Sequence, residues 1–197
     1  PELADYAALL GDRLHLPDPS HFLFALAVAV SAHDAGEPLW GMIVGQPSSA
    51  KTEAVRALDG VTDAGLDELT SASLLTWLGS ATKGRPAGIL TRVPDPSLVT
   101  VGDFSTVLAM SDKGARDVLF ALLRRVHDGS VSRSLATAPQ PLTWTGRLTM
   151  LAAVTPAIDN FSAHADALGP RWLYLRVRDL GSKDRSRALS RRWTATA

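Results

Sequence analysis

Residues Gly45-Gln46-Pro47-Ser48-Ser49-Ala50-Lys51-Thr52 place a run of small residues ahead of a cation and a hydroxyl. Residue types in that order can hold a polyphosphate. Backbone N–H groups of the loop curl around the β-phosphate, the Lys51 ammonium reaches the β- and γ-phosphates, and the Thr52 hydroxyl ligates Mg²⁺. The pattern departs at Ala50, where glycine is usual before the lysine. A methyl group there costs little if φ is negative and more if it is positive. Binding should survive that change more readily than the loss of Lys51. The competing reading is an ordinary strand–turn–helix with a surface lysine.

Hydrolysis of a bound triphosphate needs a further carboxylate, on the metal or on the attacking water. Asp103 is the acid at the end of the strongly apolar run Leu98-Val99-Thr100-Val101. In phosphate-loop ATPases such a run is commonly followed by Asp-Glu, the Asp on the metal and the Glu on the water. Here it is followed by Gly102-Asp103. Strict counting puts Asp103 in the water slot and Gly102 in the metal slot; a shift by one puts Asp103 on the metal. Either way one carboxylate is missing, and hydrolysis should be slower than in a full site. Asp103 could instead cap the turn that follows. Thr155 ends the run Leu151-Ala152-Ala153-Val154, where a hydroxyl could bond the γ-phosphate or the water, or simply end a strand before Pro156. Arg171 is placed to reach a neighbouring subunit's phosphate, a contribution of about 10³–10⁵ in rate, or to be a surface arginine.

The elements that must position these groups alternate. Helices are expected over residues 2–14, 20–33, 53–58 (opened by Lys51-Thr52), 70–78 (capped by Thr70), 111–127 and 158–168. On the helix over 111–127, Val118, Leu119, Leu122, Leu123 and Val126 share one face. Strands are expected over 39–44, 61–66 (weak), 88–93 (short), 98–101, 147–154 and 172–177, with a β-hairpin from 130–135 and 142–144. That alternation predicts a three-layer α/β fold with a mostly parallel sheet. Ligands then sit at the carboxyl ends of the strands, where the loop over 45–52, Asp103 and Thr155 all fall.

Composition narrows the classes. The 197 residues suffice for one sizeable core. Basic and acidic residues balance at 20 each, so any nucleic-acid contact needs a local patch. Cysteine is absent, which removes disulfides, thiolate zinc sites and cysteine nucleophiles. The five histidines have no metal-ligand spacing. The longest apolar stretch, Phe22 to Val30, falls short of the roughly 20 residues a membrane span needs. No signal peptide is evident and the chain starts at Pro1, so the expectation is a cytoplasmic fragment of a longer protein without membrane partners.

The order of the loop over 45–52, the run ending in Asp103, then Thr155 and Arg171 resembles the core of AAA+ ATPases, over about residues 20–180. The resemblance implies a P-loop NTPase fold with sheet order 5-1-4-3-2. It implies ATP and Mg²⁺ as cofactors and a homo-oligomeric, hexameric ring with an ATP site at each interface. The hairpin before the Thr155 strand is similar to the pre-sensor hairpin of the minichromosome-maintenance and viral-helicase branch, where it points into the channel and touches DNA. Val101-Gly102-Asp103-Phe104 is similar to the Ile-Asp-Glu-Phe of those relatives. Arg133, the charged side chain of the hairpin, is then the DNA-contact candidate. Residues 1–180 would form the core, residues 1–35 being its N-terminal helices, and the basic stretch 181–197 would begin a truncated helical lid. The implied function is a ring ATPase that couples hydrolysis to DNA translocation or unwinding in replication. The alternatives are a slow ATP-switch loader or assembly scaffold, and a protein remodeller using an aromatic-Gly pore loop. Trp77-Leu78-Gly79 is the nearest string to such a loop.

Overall fold

Runs of apolar residues with no polar alternation must be buried on both faces, and helices must cover both. The computed structural model, which describes residues 5, 6, 8, 9, 12, 18–80, 82–161 and 171–178, has that construction. Its strands are β1 (Trp40–Val44), β2 (Ala64–Leu66), β3 (Thr76–Leu78), β4 (Arg85–Ala87), β5 (Ser97–Val101), β6 (Ser130–Arg133), β7 (Leu142–Thr145), β8 (Leu148–Val154) and β9 (Trp172–Arg176). The helices are α1 (Ser20–Ser31), α2 (Lys51–Arg56), α3 (Ser71–Leu74), α4 (Ser105–Leu108) and α5 (Lys113–His127).

Five strands form one sheet in the order β2-β5-β8-β1-β9. All four pairings are parallel, with Val44 opposite Val154 and Val101 opposite Ala152. Every residue of β1, β5 and β8 is buried. Their side chains alternate between two cores. Ile43, Leu98, Leu151 and Ala153 face α1 and α2; Met42, Val44, Val99, Met150 and Val154 face the side of α3, α4 and α5. Each of these side chains other than Ala153 contributes about 1.5–3 kcal/mol, so stability resides in these layers and the connecting loops are free to carry strain. On the first face α1 lies close over Gly41, where a Cβ would sit 2.7 Å from a Val28 methyl.

Several elements differ from the sequence reading. The Thr70 cap is real: its side chain accepts from the Ser73 N–H, and the Ser73 hydroxyl answers the Thr70 N–H. The helix nevertheless ends at Leu74 instead of reaching Leu78. Residues 76–78 pair antiparallel with β4, because Thr76 and Trp77 favour extended backbone and a partner strand is at hand. The strand expected over 88–93 is a 3₁₀ turn, Ile89–Thr91. On α5, Val118 is exposed and Phe120 takes its expected place among the buried residues. The hairpin forms from β6 and β7. Of the helix expected over 158–168, Pro156–Phe161 is a 3₁₀ helix and the remainder lies outside the described residues. So do residues 181–197 and most of the helix expected over 2–14. Among the described residues no helix is long and apolar enough to cross a membrane.

Candidate functional site

The loop after β1 starts from a fixed point. The Gly45 N–H donates to the Val154 carbonyl at 3.1 Å, extending the β1–β8 pairing by one bond. Gly45 is the residue that lets the loop close, since a Cβ there would lie 2.4 Å from Ser49 Oγ and 3.3 Å from Val177 Cβ. The Ser49 N–H then donates to the Gln46 carbonyl at 3.2 Å, so the backbone doubles back. Gln46, Pro47 and Ser48 face solvent.

Ser48 and Ala50 have φ of 66° and 60°, in the left-handed region. A residue with a Cβ costs roughly 1–2 kcal/mol there. Ala50 therefore takes the expensive of its two alternatives. Left-handed residues set among ordinary ones turn successive N–H groups toward a common concavity, which is how backbone binds anions. Ser49 Oγ is buried and has no hydrogen-bond partner. An unsatisfied hydroxyl beside a tightly closed glycine loop fits a polyphosphate ligand.

Lys51 opens α2 and is only 9% exposed. Its Nζ donates to the Gln46 carbonyl at 3.3 Å, so the ammonium lies back across the loop. Burial holds its pKa below the ordinary 10.5, and the negative charge of Asp103 partly offsets this. Among the described residues no carboxylate lies within ion-pairing distance of it. A desolvated cation without a paired carboxylate could take up an anion. Thr52 is half-buried next to it, within α2.

Asp103 follows β5 at the same carboxyl edge. Its Oδ1 accepts from the Ser105 N–H at 2.8 Å, and its carbonyl accepts from Thr106 Oγ1 at 2.9 Å. The capping role weighed above thus coexists with the pull on Lys51. The Phe104 N–H donates to the Ala153 carbonyl at 2.7 Å, and its ring is fully buried, which pins the turn to β8. Thr155 follows β8 and is joined to Ser105 twice: Thr155 N–H to Ser105 Oγ at 3.0 Å, and Ser105 Oγ to Thr155 Oγ1 at 3.1 Å. Loop, Asp103 and Thr155 therefore share one edge.

Two residues that sequence reasoning missed belong here. Ser105 is one. Asp67 is the other: it ends β2, and its Oδ1 would lie 3.8 Å from a Cβ placed on Gly102. The nearest other atom to that Cβ, the Leu66 carbonyl oxygen, is 3.7 Å away, so a side chain at position 102 is not excluded by space. Asp67 was legible only as an acid after Leu66, and a three-residue edge strand is too short to mark its own end.

Mg²⁺ keeps most of its waters and takes one or two protein oxygens beside phosphate. Thr52 and Asp103 are the residues that could supply them. Among the described residues no group of three or more His, Asp or Glu could hold a metal.

Three sequence candidates have other surroundings. Arg171 precedes β9 and so lies at the opposite, amino edge, where it grips Asp128 in a fork: Nη2 to Oδ1 at 2.9 Å and Nε to Oδ1 at 3.1 Å. Arg133 does not project from the hairpin as a free contact for DNA. Its Nη1 donates to the carbonyls of Ser71 (2.8 Å) and Leu75, and Nη2 to Ser71 Oγ at 3.2 Å. The physical reason is the short turn of α3: the carbonyls of its first residue, Ser71, and of Leu75 just past its end both point to where the guanidinium can bridge them. Burial lowers the Arg133 pKa below the ordinary guanidinium value. Trp77 lies in the middle of strand β3, not on a helix, with its indole N–H on the Ser80 carbonyl at 3.0 Å and its ring against Gly84.

Comparison of the chain with protein-family models and with curated proteins finds no match.

Proposed function

We propose that this chain is the ATP-binding core of an AAA+-type P-loop ATPase, in which the loop over residues 45–52 cradles the triphosphate. The observation that carries the reading is the doubled-back loop with its left-handed Ser48 and Ala50 and the buried Lys51 ammonium lying across it. Counting only the five strands of the large sheet in chain order, the sequence of neighbours is 5-1-4-3-2 from the β9 side, which supports the P-loop fold.

On this reading Lys51 neutralises the β- and γ-phosphates, and its lowered pKa is restored by their charge. Thr52 and Asp103 are the protein oxygens available to Mg²⁺, which would supply charge neutralisation and orientation of the phosphates. Asp103 keeps its second oxygen for metal or water, and Thr155 offers a hydroxyl to the γ-phosphate. Arg171 acts on a neighbour's site in a hexameric ring only if it leaves Asp128. Coupling to DNA rests on the hairpin of β6 and β7, and with Arg133 turned inward a DNA contact would have to come from backbone or uncharged residues.

A second reading, a slow ATP switch that assembles or loads partners, is favoured by Gly102 and by the loss of Arg133 as a DNA contact. A fluorescent-nucleotide titration tests the shared premise: Lys51→Ala should abolish ATP binding, and full retained affinity would refute it. Turnover with and without single-stranded DNA then separates motor from switch, because a motor is stimulated and a switch is not.

A further inference from the structure

Ser105 is one residue with three hydrogen bonds into the candidate site. Its N–H holds Asp103 Oδ1 at 2.8 Å, its Oγ accepts the Thr155 N–H at 3.0 Å, and the same Oγ donates to Thr155 Oγ1 at 3.1 Å. A hydroxyl has one proton to give and two lone pairs. One lone pair of Ser105 takes the Thr155 N–H, and the geometry of the second bond has the Ser105 proton pointing at Thr155 Oγ1. Thr155 Oγ1 is thereby an acceptor toward Ser105, and its own proton must be directed elsewhere. The two side chains face each other across neighbouring strand ends, so the remaining direction is away from Ser105.

We infer that Ser105 is a positioning residue that sets Thr155 as an outward hydrogen-bond donor and ties that donor to the Asp103 turn. The consequence rests on the proposed function: the donor recognises the terminal phosphate of ATP, which ADP lacks, and Ser105 gives the site its preference between them. A threonine hydroxyl without this partner rotates freely and satisfies itself on its own strand end, so the preference weakens while the grip on the other phosphates, held by the loop over 45–52, stays. The bond from Ser105 N–H to Asp103 uses backbone and survives removal of the side chain.

The test compares a non-hydrolysable ATP analogue with ADP in fluorescence titrations of the chain and its variants, with folding checked by circular dichroism. The wild type should prefer the ATP analogue, and Ser105→Ala should lower that preference about tenfold, the worth of one hydrogen bond to a charged group. ADP affinity should be unchanged. Ser105→Thr, which keeps the hydroxyl, should restore the preference. Thr155→Val should lower it as much as Ser105→Ala does, and the double variant no further, since the two act on one donor. Thr155→Val lowering the preference while Ser105→Ala does not would overturn the inference. So would an equal fall in ADP affinity, which marks a merely structural role. If Ser105→Ala does not fold, Ser105→Cys keeps the volume with a weak donor and should show the same loss of preference; an unchanged preference there overturns the inference. A wild type that binds neither nucleotide brings down the proposed function itself, and this inference with it.

Discussion

The two edges of the sheet differ in what they do with charge and strain. At the amino edge the arginines are met by acceptors, although Ser97 Oγ, Thr149 Oγ1 and Arg147 Nε are buried there without a partner. Arg147 gives its guanidinium to the carbonyls of Gly36 (2.9 Å), Ser31 (3.1 Å) and Ala32 (2.7 Å), and its N–H to Asp95. The indole N–H of Trp40 is bonded to the Leu148 carbonyl, and Arg171 is forked onto Asp128. The positive-φ positions there are Gly129 and Gly146, which adopt them cheaply. At the carboxyl edge Arg176 is paired with Asp159, yet the loop after β1 keeps a partnerless hydroxyl, a desolvated lysine and left-handed Ser48 and Ala50. One edge matches its cations with acceptors. The other leaves a lysine without a carboxylate partner and two Cβ-bearing residues left-handed, features that a bound ligand could offset.

The sharpest way to break this contrast is a paired substitution. Lys51→Ala should abolish measurable ATP binding, a loss of at least about 1,000-fold or roughly 4 kcal/mol, as expected for truncating one partner of a buried charge contact. Its melting temperature should hold or rise, because a buried unpaired cation is removed. Arg147→Ala should do the converse. It should cost about 2–3 kcal/mol of stability in urea denaturation, since three carbonyls lose a charged donor, while nucleotide affinity stays within error. If Lys51→Ala unfolds the protein, or Arg147→Ala costs nothing, the division of labour is wrong.

A smaller effect sharpens the strain argument. Ala50→Gly removes a methyl from a left-handed position and should raise stability by about 0.5–1 kcal/mol, relief of strain less the entropy of glycine. A thermal melt that shows a loss would place the strain elsewhere.

The smallest effect is in pH. His21 is buried at the start of α1, and neither ring nitrogen makes a well-formed hydrogen bond. Burial lowers its pKa below the ordinary 6.5, with the charge and carbonyl of Asp18 opposing. The unfolded chain therefore takes up the proton first. Stability from this group is whole above 6.5 and is lost as pH falls from there toward the folded value. His127, lowered by burial and then by the positive charge of Arg171, behaves the same way. His21→Leu should flatten part of the fall in urea stability between about pH 7 and pH 5; an unaltered slope would clear His21 of it.

What the chain disclosed in advance follows from how its parts are held. β1, β5 and β8 are uninterrupted apolar runs, and burial on both faces leaves them nothing else to be. Their ends therefore located the loop, Asp103 and Thr155. Residues 75–78 were misread because Thr70 and Ser73 announce where α3 begins and nothing local says where it stops; the stop is set by pairing with β4, across a turn. The inward turn of Arg133 depends on α3 carbonyls more than fifty residues earlier, and the grip of Arg171 on Asp128 joins residues 43 positions apart. No local pattern encodes either. Ser105 was passed over because an isolated serine after a strand has no spacing to mark it, and its role exists only once β5 and β8 are neighbours.

Arg133 has a mechanical consequence. The hairpin of β6 and β7 and the ribbon of β3 and β4 are each two-stranded sheets beside the large one, and the guanidinium fastens the first to the root of the second. Neither arm can swing alone without tearing bonds to Ser71 and Leu75. A displacement of the hairpin would therefore drag α3 and the root of the ribbon along with it.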